Sequence, residues 1–178
     1  MDRVRELYQL YKEPIFRYFL RMTGDWEEAG ELTQEVFFQA CLSLYRFRNE
    51  ASLKTWLFSI SRNVYLKHLQ KEKRNKAIVF EEAQVALEEI TTGATDAPDE
   101  IVIFREEQAR VRQGLAQLPE TARTVIVLKE YEQLSYEEIA KICGQSVNWA
   151  RVNFFRAKKQ LGQIYRELED GINELKRM

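Results

Sequence analysis

Histidine occurs once in this chain of 178 residues, cysteine twice, proline three times and glycine seven times. Each scarcity closes off a class of protein. His68 has no nearby nucleophile, cysteine or carboxylate motif to work with, and there is no glycine-rich phosphate loop and no metal-ligand spacing. The sequence therefore predicts no enzyme, no cofactor, no metal and no small-molecule substrate, and reads His68 as a solvent-facing or phosphate-contacting side chain. Cys41 and Cys143 are too few and too far apart for a disulfide framework or a metal knuckle, and read as two buried thiols. Few glycines and prolines favour long helices over a turn-rich β fold. No run approaches the roughly 18 apolar residues that span a membrane. The opening Met1-Asp2-Arg3-Val4-Arg5-Glu6 has no apolar signal segment, so a cytoplasmic location is expected.

What is present is apolar surface and segregated charge. Hydrophobic residues make up 45% of the chain and aromatics 12%, enough for packed cores. The net charge of −1 conceals two basic islands. Residues 46–76 carry nine basic and two acidic side chains, +7, and residues 141–166 carry six and none, +6. Between them, residues 77–110 carry two basic and nine acidic side chains, −7. A phosphate backbone senses such local charge, which the overall balance hides.

Apolar side chains at Val4, Tyr8, Tyr11, Ile15, Tyr18 and Met22 keep helical spacing, with Pro14 inside the pattern predicting a kink or a second start. Asp25 with Glu28 can cap a second helix running to about Tyr45, with Ala29, Leu32, Val36, Ala40 and Leu44 inward. After a polar loop at 46–52, a third helix is expected from about Leu53 to Lys73, burying Leu53, Trp56, Leu57, Ile60 and Val64. These helices can close one small bundle. Residues 91–98 read as a linker by their small and turn-forming side chains. Helices are then expected over 101–117 and 120–130. The prediction is all-α: two small helical domains, 1–76 and 101–178, joined by an acidic linker, 77–100.

Residues 135–161 are the most telling. Ser135 and Glu138 have capping-box spacing and open one helix, Gly144 can take positive φ, and Ser146 can cap a second helix. In that second helix Val147, Ala150, Phe154, Ala157 and Leu161 form an inward stripe. Asn148, Arg151, Val152, Phe155, Arg156 and Lys159 lie opposite. Only one of Phe154 and Phe155 can point inward, and spacing assigns Phe154 to the core. A compact helix pair with a cationic second helix fits the DNA major groove.

The stretch from Leu118-Pro119-Glu120 to Leu161 resembles the DNA-binding region of bacterial sigma factors. Leu32-Thr33-Gln34-Glu35-Val36-Phe37, Phe47-Arg48 and Thr55-Trp56-Leu57-Phe58-Ser59-Ile60-Ser61-Arg62-Asn63 are similar to their polymerase-binding and promoter-melting region. Order, spacing and length match the compact extracytoplasmic-function (ECF) sigma factors. The resemblance implies that Glu31, Gln34 and Glu35 dock on the clamp helices of core RNA polymerase, whose flap is a further implied contact. It implies that Arg48, Asn49 and Lys54 in and after the loop, with Asn63, engage the melted minus-ten element. Arg62, Lys67, Lys71, Lys73 and Arg74 would hold phosphates. Trp56 reads as core, with support of the melted strand as its alternative. Asn148, Arg151, Val152, Phe155, Arg156 and Lys159 would read the minus-thirty-five element. Where the family usually has Thr-Val-Lys-Ser-Arg, this chain has Trp149-Ala150-Arg151-Val152-Asn153, which predicts an altered sequence preference. A membrane-bound anti-sigma factor is a further implied partner. The acidic bridge reads as a solvated linker or as a mimic of DNA that shields the basic faces. The rival readings are a free-standing helix-turn-helix regulator and a helical adaptor.

Overall fold

The computed structural model describes residues 2–48, 50–82 and 109–177. Every regular element among them is helical. Helix α1, Asp2–Thr23, runs unbroken through Pro14. Its inward side chains are Leu7, Ile15, Tyr18, Phe19 and Met22, whereas Tyr8 is half out and instead stacks edge-on with Phe37. Helix α2, Trp26–Ser43, opens on Asp25, whose carboxylate accepts the Glu28 amide. Ala29, Leu32, Val36 and Ala40 are buried as the spacing requires, joined by Thr33 and Phe37. A short 3₁₀ turn, Leu44–Arg46, ends it.

Helix α3, Leu53–Glu82, is longer than the spacing predicts. Leu57, Phe58, Val64 and Tyr65 are buried, Trp56 and Ile60 are half-buried, and Leu53 lies outside the core on the first turn. These three helices pack on one another as a bundle. Tyr18 sits at its centre with no hydrogen-bond partner for its hydroxyl, and burial drives its ionisation far above the usual range.

The C-terminal part begins, among the described residues, with helix α4 over 109–117. Helix α5, Glu120–Ile126, starts directly after Pro119 and widens into a π-helical turn, Val127–Tyr131. Gln133 then takes positive φ, which turns the chain toward α6, Tyr136–Cys143. The capping box is present in both directions, Ser135 Oγ accepting the Glu138 amide and a Glu138 oxygen accepting the Ser135 amide. Gly144 is left-handed, φ 63°. Helix α7, Val147–Arg177, starts with the Trp149 amide donating to Ser146 Oγ. Leu115, Leu118, Ile126 and Ala157 form a small core where α4 and α5 meet α7. The linker residues 91–98 and the acidic reading attached to them lie outside the described residues, as does most of 77–110.

The two parts share their larger core. Val125, Val127, Leu128, Ile139, Ala140 and Ile142 belong to the same apolar cluster as Ile15, Tyr18, Leu57 and Phe58. Helix α3 packs directly on α6.

Candidate nucleic-acid interface

The second helix of the helix-turn-helix motif presents its outer face to solvent. Phe154 is 5% exposed and Phe155 61%, so the two rings sort as their spacing requires. Asn148, Arg151, Phe155, Arg156 and Lys159 are all exposed or nearly so on this face, and Val152 is half-buried beside them. The Arg151 guanidinium lies 5.6 Å over the Tyr136 ring, a cation–π contact that steadies a side chain otherwise free to swing. Asn153 turns back on its own helix, its amide donating to the Trp149 carbonyl at 2.9 Å. That position, where sigma factors usually carry a second basic residue, is thus occupied with local bonding.

The first basic island divides into two sets. Asn63, Lys67, Lys71 and Arg74 are exposed at helical spacing along one side of α3, with Lys73 nearby on the same turn. A flat cationic stripe with one amide suits a strand of phosphates with an accessible base edge. Arg48 is exposed on the loop before α3, while Asn49 lies outside the described residues. Lys54 and Arg62, in contrast, face the C-terminal part. The Arg62 guanidinium donates to Glu120 Oε1 at 2.7 Å and to Thr124 Oγ1 at 3.2 Å. Lys54 donates to the Glu132 carbonyl at 2.6 Å. Thr55 beside it donates to Glu138 Oε1 at 3.0 Å.

Between loop and helix lies a cavity of about 260 Å³, lined by Arg46, Phe47, Arg48, Thr55, Trp56 and Lys141 among others. Phe47 and Trp56 stand 5.1 Å apart, centre to centre. Trp56 packs partly against the bundle, as its core reading expects, and also forms a wall of this cavity. An aromatic wall beside arginines is a chemistry that accepts a flat, unstacked base.

On α2, Glu31, Gln34 and Glu35 are exposed on one face, and Glu35 accepts from Gln39 at 2.7 Å. The same face carries Phe38, Leu42 and Tyr45, each at least 60% exposed. Sequence reasoning passed over these three; the signal was there, since they fall outside the inward stripe yet are large and apolar.

Two ionisable groups feel the junction of the parts. Glu138 is held below the usual carboxylate range, first by the Ser135 amide and then, against the effect of its own burial, by the hydroxyls of Thr55 and Ser135. Burial pushes Glu132 up, with Lys54 and Arg21 opposing. Two sequence expectations need correction. His68 is largely covered, its Nε2 3.5 Å from Glu28 and 4.0 Å from Glu72, so it meets carboxylates rather than solvent or phosphate. Cys41 is exposed, because it falls one position past the inward Ala40 on α2; Cys143 is half-buried, and burial raises its thiol.

These faces, set on a helical bundle joined to a helix-turn-helix, suit a nucleic-acid-binding protein. The sigma-70 region 2 family matches residues 7–75 and sigma-70, region 4 matches residues 108–161. The RNA polymerase sigma-H factor of Pseudomonas aeruginosa is 30% identical over 161 residues, 89% of this chain and 83% of that protein. The ECF RNA polymerase sigma factor SigW of Bacillus subtilis is 28% identical over 173 residues, 94% of this chain and 91% of its own length. Among solved structures, the sigma factor RpoE in complex with the anti-sigma factor NepR from Bartonella quintana superposes with a TM-score of 0.74 at 21% identity, covering 93% of this chain and 98% of that one. The chain belongs to the ECF RNA polymerase sigma factors of the sigma-70 family. It is an alternative sigma factor that directs transcription initiation, and sigma factors as a class bind core RNA polymerase and promoter DNA rather than catalyse a reaction. No helix among the described residues is long and apolar enough to cross a membrane.

Proposed function

We propose that residues 1–76 form the polymerase-binding and minus-ten domain, 77–100 a linker, and 101–178 the minus-thirty-five domain. Glu31, Gln34 and Glu35 make the polar part of the contact with the polymerase clamp helices. Phe38 and Leu42 add apolar area on the same face, the pairing of anchor and polar surround that interfaces use. Asn63 pairs with an extruded base, Arg48 and Lys54 flank it, and Arg62, Lys67, Lys71 and Arg74 neutralise phosphates. Arg151 and Arg156 take base edges in the major groove, Val152 and Phe155 meet thymine methyls, and Asn148 and Lys159 complete the footprint. The protein works in the cytoplasm without catalysis of its own.

The observation that carries this reading is the pairing of two separate exposed cationic faces, one beside a cavity with aromatic walls and one on a helix-turn-helix. We also propose an anti-sigma factor as partner, since a solved protein of this fold was captured with one. The test is gel-shift binding of the chain to genomic promoter fragments, with and without core polymerase, at fixed salt. Specific shifts that require polymerase are expected. Tight specific binding by the chain alone would indicate a free-standing regulator instead.

A further inference from the structure

One cluster of side chains that neither cationic face uses has the chemistry of a metal site. His68 and Glu72 are one turn apart on α3, and Glu28 stands on the first turn of α2. His68 Nε2 lies 3.5 Å from Glu28 Oε2 and 4.0 Å from Glu72 Oε2. One donor atom from each of the three lies within 4.8 Å of the others. Three details separate this group from an ordinary surface ion pair. First, Glu28 holds the position from which a capping-box carboxylate returns to the N-cap amide. Here the Asp25 amide donates to Thr23 Oγ1 at 3.1 Å instead. The Glu28 carboxylate is thereby released toward His68, while Asp25 holds the Glu28 backbone. Second, two carboxylates share one imidazole: among the described residues His68 is the ion-pair partner of both. Third, both contacts are longer than the roughly 2.8 Å of a charge-assisted hydrogen bond. The donors surround a common point rather than bond to one another.

We propose that Glu28, His68 and Glu72 bind one divalent transition-metal ion of the zinc, cobalt or nickel kind, with water in the remaining positions. One imidazole nitrogen and two carboxylate oxygens suit such ions, whereas Mg²⁺ takes oxygen ligands. Zinc holds nitrogen and oxygen at about 2.1 Å, which sets neighbouring donors about 3.0–3.4 Å apart. Small rotations of the two glutamate side chains close the site to that spacing. His68 and Glu72 are preset by α3, since ligands at i and i+4 share one helix face. No spacing motif announces the site, because Glu28 lies 40 residues before His68. Helices α2 and α3 already pack on each other, which brings the third ligand in. A bound ion ties the start of α2 to α3 and neutralises the two facing carboxylates. It stabilises the folded bundle, because the unfolded chain scatters its ligands.

The test uses the full untagged chain, stripped with chelator and titrated with Co²⁺ by calorimetry and visible absorption, with thermal melts alongside. One ion per chain is expected, with the spectrum of a nitrogen–oxygen site and no sulfur charge-transfer band. A hundredfold excess of Co²⁺ over its dissociation constant should raise the melting temperature by about 5–10 °C. His68 is the sole histidine of the chain. His68→Gln should therefore abolish the rise and weaken binding by more than about tenfold. Glu72→Gln, a milder change on a part-exposed helix position, should weaken binding about tenfold. Metal-free melts give the baseline of each variant. Absence of binding heat and of any melting shift overturns the proposal, as does an equal response to Mg²⁺, which would reduce the group to an acidic patch. Binding that survives both substitutions and is lost in Cys41→Ser overturns it too, by placing the ion on the exposed thiol.

Discussion

Helices α3 and α7 lie in segments with almost the same excess of positive charge, +7 over residues 46–76 and +6 over 141–166, yet they hold it differently. On α7 the cations stand in solvent. Arg151 has a partner on its inner flank, the Tyr136 ring, and Lys158 lies over Phe154 and reaches the exposed Glu130 at 3.2 Å. On α3 the cations divide by helix face, one set open and one set engaged by the other half of the protein. Charge alone therefore does not define a nucleic-acid surface. Which side of the helix a cation occupies, and what is packed against that side, decides whether it is free to meet phosphate.

The comparison can be broken most sharply at the paired phenylalanines of α7. Phe154→Ala should cost about 3–5 kcal/mol of stability through the cavity it opens. Phe155→Ala should stay within about 0.5 kcal/mol and lower only DNA affinity. Thermal melts and promoter binding by the polymerase complex read the two effects apart. Arg151→Ala should cost about 1–3 kcal/mol in specific binding and relax base preference at one upstream position, seen by selection on randomised promoters. On α3 the expected loss is of another kind. Asn63→Ala should slow promoter opening and leave closed-complex formation near normal, measured on duplex and premelted templates; equal losses on both would remove Asn63 from the role.

Smallest is the effect at the joint between the halves. Glu138→Gln should lower stability by about 1 kcal/mol at neutral pH, since it weakens the capping box and the bond to Thr55. The folded carboxyl is held below its usual value, so its contribution is present above the unfolded-state value and disappears as pH falls through the folded one. The gap in melting temperature between parent and variant should therefore close on acidification. A gap independent of pH would assign the effect to helix capping geometry alone.

Much of this protein was settled by local rules. The 3–4 spacing of apolar residues, the Asp25 and Ser135 caps and the left-handed Gly144 act over three or four residues, so α2, α6 and the split between Phe154 and Phe155 were legible at once. The motifs Leu32–Phe37 and Thr55–Asn63 likewise pointed to the family from sequence alone. Where local rules failed, a neighbour distant in sequence had intervened. Of the two outcomes open at Pro14, the second helix start does not occur, and both halves of α1 pack on the same bundle. His68 is drawn between Glu28 of α2 and Glu72 of α3. Arg62 and Glu120 are 58 residues apart, and Thr55 and Glu138 are 83 apart. No periodicity encodes such pairs, because they depend on how two surfaces far apart in the chain meet. Sequence determined which helices form and which face of each is apolar; tertiary packing decided which of the remaining charges are left for DNA.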